Sequence, residues 1–265
     1  MMKKTVISLL ALTLVAWTFS PTTRAPEPVS ARMDADAIAD SLVQNWIDAL
    51  GGLETYWPLK AARYTLTTEI YDTESGRLRR TRPRYVTIAR TDAGELARIE
   101  RWEGNDFIAQ GWDGTTSWAT MNGEPLAEGD MDYDQVAYVS GDVNYWISLP
   151  FKLQDPGVNL HYQGVQDDGR HLMVVTFGEG VGLHDGDTWQ YWFEDGTTWP
   201  VELAYREEGR TNYSHLRFED IRTVDGYIFV GRRVHFNGSG MLTKVLFSHD
   251  FEFNPKVDFS IFAKP

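Results

Sequence analysis

Between residues 63 and 121 apolar and polar positions alternate with a period of two. Arg63 to Tyr71 sets Tyr64, Leu66, Thr68 and Ile70 against Arg63, Thr65, Thr67 and Glu69, the pattern of a strand with one buried face. Thr73–Gly76 reads as a turn, and the chain returns through 78–89. Asp92-Ala93-Gly94, Gly104-Asn105 and Asp113-Gly114 mark further turns, which separate strands over 95–102, 107–112 and 116–121. Short alternating strands divided by such turns predict an antiparallel meander. A second series covers 158–162, 171–177, 188–194, 201–206, 213–221, 227–236 and 242–253. Asp167-Asp168-Gly169 and Asn237–Gly240 serve as its hairpin signals. About eleven strands are expected, and a sheet that wide must curl strongly or split.

Two segments follow helical spacing instead. Ile38, Leu42, Trp46 and Ala49, flanked by Val43, Ile47 and Leu50, form an amphipathic stripe behind Asp34 and Asp36, and Gly51-Gly52 ends it. Residues 132–149 carry Val136, Val139, Val143, Tyr145, Trp146 and Ile147 with few turn signals. Gly141 interrupts them, which predicts one broken helix or two short ones, closed by Pro150. The expected fold is therefore α+β and mostly β. A strongly curved antiparallel sheet forms a half-open barrel, closed by an N-terminal helix and a mid-chain helical segment.

The first residues break this picture. Lys3 and Lys4 precede an apolar run from Thr5 to Phe19, too short to span a bilayer comfortably. The run reads as a secretory signal. Cleavage after Ala31 is favoured over cleavage after Ala25, because Pro26 follows the latter; a retained anchor helix is the alternative. The expected organisation is a signal peptide over 1–31 and a single β domain over 32–265, located in a periplasm or secreted. No other stretch approaches eighteen apolar residues, so no stable membrane insertion is expected after cleavage.

Residues 1–31 carry Lys3, Lys4, Arg24 and Glu27, so their removal takes the formal charge from −13 to −15. Such an acidic chain repels nucleic acid and anionic membrane surfaces. The absence of cysteine excludes disulfides, thiolate metal sites and a cysteine nucleophile or lipid anchor.

Three stretches together carry a family likeness: Asp48–Leu53, Trp146–Gly157, and Phe253-Asn254-Pro255 with Ile261-Phe262. In these the chain resembles the outer-membrane lipoprotein-sorting type of protein, the LolA/LolB-like superfamily. The resemblance implies a half-open, curved antiparallel sheet closed by helices over an apolar cavity for acyl chains. It brings no catalytic residues. LolB-like members are lipoproteins, and this chain lacks the cysteine for that; nothing in it establishes the transporter partners of LolA.

The residues point to a similar shape. Several strands are apolar on both faces, as at Tyr227–Val230 and Val245–Phe247, so one face needs a second layer or a ligand. A sheet folded on itself with no usable cavity is the competing reading. Candidate ligand-lining residues are Leu66, Trp102, Trp112 and Trp118 from the first strands, and Tyr145, Trp146 and Phe151 from the covering segment. Trp189, Tyr191, Phe229 and Phe247 complete the set from the later strands. Shielding about ten methylenes gains on the order of 8 kcal/mol, roughly micromolar affinity before ordering costs.

Other chemistry finds little support. Hairpin geometry sets His235 opposite about Thr243 and His161 opposite about Val174, so no two histidines face each other, and no metal or cofactor is expected. Glu128, Asp130, Asp132 and Asp134 alternate like a calcium loop, but Gln135 and Gly141 stand where glycine and a bidentate glutamate are required. Arg77, Arg79, Arg80, Arg82 and Arg84 form one basic run. Pairing with cross-strand acids such as Glu69, Glu95 or Glu100 is expected, and a lipid headgroup or phosphate is the alternative. No nucleophile elbow, phosphate loop or dinucleotide fingerprint occurs.

The expected function is a non-enzymatic periplasmic carrier for a lipid, acylated protein or other hydrophobic molecule. The alternatives are a secreted hydrolase using carboxylates in an aromatic cleft, or a module that binds envelope proteins.

Overall fold

The structure, a computed structural model, describes residues 29–92, 94–126, 133–181 and 186–265. Most of the expected signal segment, the Glu128–Asp132 stretch and His184 lie outside these residues. The favoured cleavage position, Ala31, falls at the start of the first helix.

Helix α1 (Val29–Ala49) and the short α2 (Leu53–Tyr56) precede six strands: β1 (Ala61–Tyr71), β2 (Leu78–Thr91), β3 (Gly94–Glu103), β4 (Asp106–Trp112), β5 (Ser117–Met121) and β6 (Glu124–Pro125). Helix α3 (Tyr133–Ser148) and a 3-10 turn (Phe151–Gln154) follow. The chain then forms β7 (Val158–Val165), β8 (His171–Phe177), β9 (Thr188–Phe193), β10 (Glu202–Arg206), β11 (Ser214–Val224), β12 (Tyr227–Phe236) and β13 (Leu242–Phe253). A second 3-10 turn, Phe259–Phe262, lies beyond β13.

Among the described residues the thirteen strands form one open antiparallel sheet in the order β6-β5-β4-β3-β2-β1-β13-β12-β11-β10-β9-β8-β7. Each half is a simple meander, and the two halves join where β1 pairs with β13, Ala62 opposite Phe253 and Thr68 opposite Leu246. Helix α3 is continuous through Gly141, since one glycine costs about 1 kcal/mol and tertiary packing outweighs it.

The helices cover one face, and the sheet must curl to reach them. Helix α3 packs along β3, β4 and β5, yet its Tyr145 and Trp146 also meet Trp189 of β9, at 5.2 and 5.5 Å between ring centres. Both wings of the sheet therefore wrap the same helix. Under α1 a cluster gathers Val43, Trp46, Ile47 and Leu50 with Met173, Trp189, Tyr191 and Leu203. A second cluster joins Tyr64, Leu66, Val86, Ile88 and Ile99 to Val143 of α3. Trp46 alone lies near four rings, those of Tyr191, Phe193, Trp199 and Phe218, at 5.8 to 6.5 Å. Among the described residues no helix is long and apolar enough to cross a membrane.

Candidate functional site

The ladder between β12 and β13 runs only from Arg232↔Phe247 to Phe236↔Leu242. Beyond it the two strands part, and aromatic rings fill the slit. Phe229 lies 3.9 Å from Phe251, Tyr227 4.6 Å from Phe253, and Phe251 stacks on Tyr64 at 4.8 Å. Under the slit runs a crevice of about 50 Å³, bounded by Trp46, Trp146, Phe151, Trp199, Phe218 and Phe229, with Arg233 as its one charged lining residue among the described residues. That space holds a water molecule or two. Drug-sized ligands occupy several hundred Å³.

The hollow expected between the sheet and residues 132–149 is therefore mostly filled beneath Trp146, while a cleft persists beneath the first turns of α3. The physical cause is aromatic volume: Trp189, Tyr191 and Phe193 are fully buried beneath the helices. A larger hollow, about 740 Å³, lies between α1 and β7, but Asp36, Asp40, Gln44, Asn159 and His161 make much of its wall polar.

Of the expected lining residues, Trp146, Phe151 and Phe229 border the crevice. Tyr145, Trp189 and Tyr191 belong to the core cluster around it. Leu66 and Trp112 sit on the same face, in the neighbouring cluster.

The remaining three point the other way. Arg101 and Glu103 face the helix side, so strand alternation turns Trp102 outward, where it is 62% exposed and rests on Phe107. Trp118 is buried on the outer face beneath the C-terminal 3-10 turn, its indole N–H donating to the Phe262 carbonyl at 2.7 Å. Phe247 alternates with the inward Leu246 and lies under the Arg232 guanidinium, 5.5 Å from its ring centre. Phe218, Phe251 and Phe253 were not among the expected residues. The two-faced apolar strand 242–253 was the signal for Phe251 and Phe253, while Phe218 had only its alternation with Arg217 and Glu219.

The basic run also departs from expectation. Register sets Glu69 opposite Thr81, and Glu100 opposite Tyr85, so these two acids miss the arginines, whereas Arg82 reaches Glu103 at 3.9 Å and Arg79 reaches Asp72 at 3.5 Å. Glu95 pairs with Lys152 at 2.9 Å. Arg82 and Arg84 instead sit opposite Thr68 and Leu66 on the helix-covered face. With Arg101 they line a cleft of about 270 Å³ beneath Val136 and Val139 of α3. Arg84 donates to Thr68 Oγ1 at 2.9 Å, and Arg101 bonds Glu103 and Gln110.

From the other side of the β1–β13 floor, Lys244 and His235 stand opposite each other and Arg233 opposite Leu246. Burial presses the pKa of Arg84, Arg233 and Lys244 down, and the Asp142 carboxylate of α3 opposes this. His235 is held well below the usual histidine range by burial and then by Lys244 and Arg233, so its ring is neutral.

No family model matches the chain, and no curated protein matches it significantly. Solved structures do. A LolA superfamily protein from Nitrosomonas europaea superposes with a TM-score of 0.54 at 13% identity, over 85% of this chain and 97% of the other. The fold is that of the LolA superfamily structures. A DUF1329 family protein from Desulfovibrio piger gives 0.52 at 12% identity, over 89% of this chain and 98% of the other. A putative outer membrane lipoprotein-sorting protein domain from Vibrio parahaemolyticus gives 0.50 at 8%, over 88% and 96%. At these identities the likeness is one of fold.

Proposed function

We propose that the chain is an exported carrier or binding protein for a hydrophobic ligand, a lipid or an acyl chain, taken up through the aromatic slit between β12 and β13. The observation that supports this reading is the slit itself. Backbone pairing between the two strands stops there, and the rings of Tyr227, Phe229, Phe251 and Phe253 meet across the gap.

Side chains that replace backbone pairing can rotate away without breaking a ladder, so the crevice is in a closed state that an acyl chain opens by displacing them. The apolar crevice walls would then receive the chain, with about 0.8 kcal/mol for each methylene shielded. The likeness to a lipoprotein-sorting domain supports the same class of ligand. Export by a signal cleaved near Ala31 is part of this proposal. Among the described residues the crevice lining includes no carboxylate, so nothing in it favours glycoside hydrolysis.

Two measurements test the reading. Organic extraction of protein purified from its native envelope, followed by mass spectrometry, is expected to release a lipid. Titration with a neutral fluorescent hydrophobe is expected to saturate at roughly micromolar concentration. No extracted lipid together with no uptake would overturn it.

A further inference from the structure

Cations are gathered on the inside of this acidic protein. Rows across the sheet follow from the register. Arg82 sits opposite Thr68, Thr68 opposite Leu246, and Leu246 opposite Arg233. One row further along, Arg80, Ile70, Lys244 and His235 follow in the same way. Adjacent strands are about 4.8 Å apart, so arginines on β2 and Arg233 on β12 flank the two-strand floor of β1 and β13, from which Lys244 itself projects. The floor carries Thr68, Ile70 and Leu246, whose short or apolar side chains leave room above.

The charges are not balanced where they lie. Arg84, Arg233 and Lys244 share one carboxylate, Asp142, and Lys244 also feels Glu207. Among the described residues none of these three cations has an acidic oxygen within ion-pair distance. Arg233 is almost wholly buried, and its Nη1 has no hydrogen-bond partner. An uncompensated buried charge is costly, and natural folds keep one where a ligand or partner completes it.

The cleft lies beside the aromatic crevice along β1. Tyr64, Leu66 and Thr68 are successive inward positions of β1; Tyr64 lines the crevice and Thr68 the cleft. Inward neighbours on a strand are about 7 Å apart, so Tyr64 and Thr68 stand about 14 Å apart, within the length of a long acyl chain. Arg233 borders the crevice, and Arg84 borders the cleft.

We infer that the ligand is an anionic amphiphile. Its acid group, a carboxylate or phosphate, is received by Arg84, Arg233 and Lys244, while its chain runs into the crevice. This rests on the carrier reading and narrows it. The guanidinium forks suit an oxyanion.

The test displaces a neutral fluorescent hydrophobe with hexadecanoate and with hexadecanol, which differ only at the head. Hexadecanoate is expected to compete at least about tenfold better, the scale of a hydrogen bond to a charged group. Arg84→Gln and Lys244→Met are each expected to bring the two ligands within about threefold while leaving hexadecanol unchanged. The second variant decides if the first fails to fold by circular dichroism.

Equal competition by both ligands in the unaltered protein would overturn the anionic site and leave the carrier reading standing. If the neutral probe does not bind at all, the carrier reading fails. Calorimetry with inorganic phosphate then reads the cleft alone. Phosphate binding lost in Arg84→Gln would support an anion site for a free anion, and no phosphate binding would overturn it.

Discussion

Arg233 of β12 places its guanidinium carbon 4.2 Å from the ring centre of Trp146 on α3, so floor and roof of the crevice meet through a cation on an aromatic face. The contact offsets only part of the cost of burying that charge with an unfilled donor. Arg233→Met is therefore expected to raise stability by about 1 kcal/mol while weakening anion binding, the usual trade between a functional charge and a stable core. Urea unfolding reads the first effect. A loss of about 2 kcal/mol or more would instead mark Arg233 as a strut between the two layers.

Burial is the reason His235 is neutral in the fold. Its folded-state pKa lies well below the ordinary 6.5, and both ring nitrogens lack partners among the described residues. The unfolded chain binds a proton below about pH 6.5 and the folded one does not. Stability therefore falls as pH drops below that value, by up to about 1.4 kcal/mol per unit from this residue. His235→Phe is expected to flatten the stability profile between pH 6.5 and 5 relative to the parent. Parallel slopes for the two proteins would show that His235 titrates freely.

Trp46→Ala removes a ring that touches α1's neighbours on β9 and β11, and is expected to cost about 3–5 kcal/mol. Trp102→Ala, on the outer face, is expected to stay within about 1 kcal/mol of the parent. Equal losses for the two in chemical denaturation would contradict the placement of the core.

Gly111→Ala tests the outer face. An added Cβ would come within 2.5 Å of the Ala97 carbonyl and 2.6 Å of the Trp118 ring, a clash expected to cost about 1–3 kcal/mol. Gly238→Ala meets nothing within 4 Å and is expected to be near neutral. A Gly111→Ala protein that melts with the parent would mean Trp118 sits elsewhere.

The meanders, the opening helix and the family likeness in fold were all legible in the chain. Alternation and turn residues act locally, and the hairpin rule even set His161 opposite Val174, as found. What the chain did not reveal were facts set at a distance. A register irregularity between His235 and Phe236 places His235 opposite Lys244 rather than Thr243. Strand alternation shows that Trp102 opposes Arg101 in direction but not which of the two faces the helices. Trp118 stays dry because the turn around Phe262 covers it, a contact no local pattern predicts. The arginine run was visible, yet only register showed Arg82 and Arg84 turned inward, where Arg82 meets Glu103 rather than Glu69 or Glu100.

The junction of the two meanders has a mechanical consequence. Every other pairing in the sheet joins strands that follow one another along the chain, whereas β1 meets β13 across nearly the whole sequence. Local hairpins form quickly and distant contacts slowly, so the two wings are expected to assemble separately and be zipped together late. Losing β13 would cleave the molecule down its midline, leaving each wing nearly intact but parting the two banks of the aromatic slit.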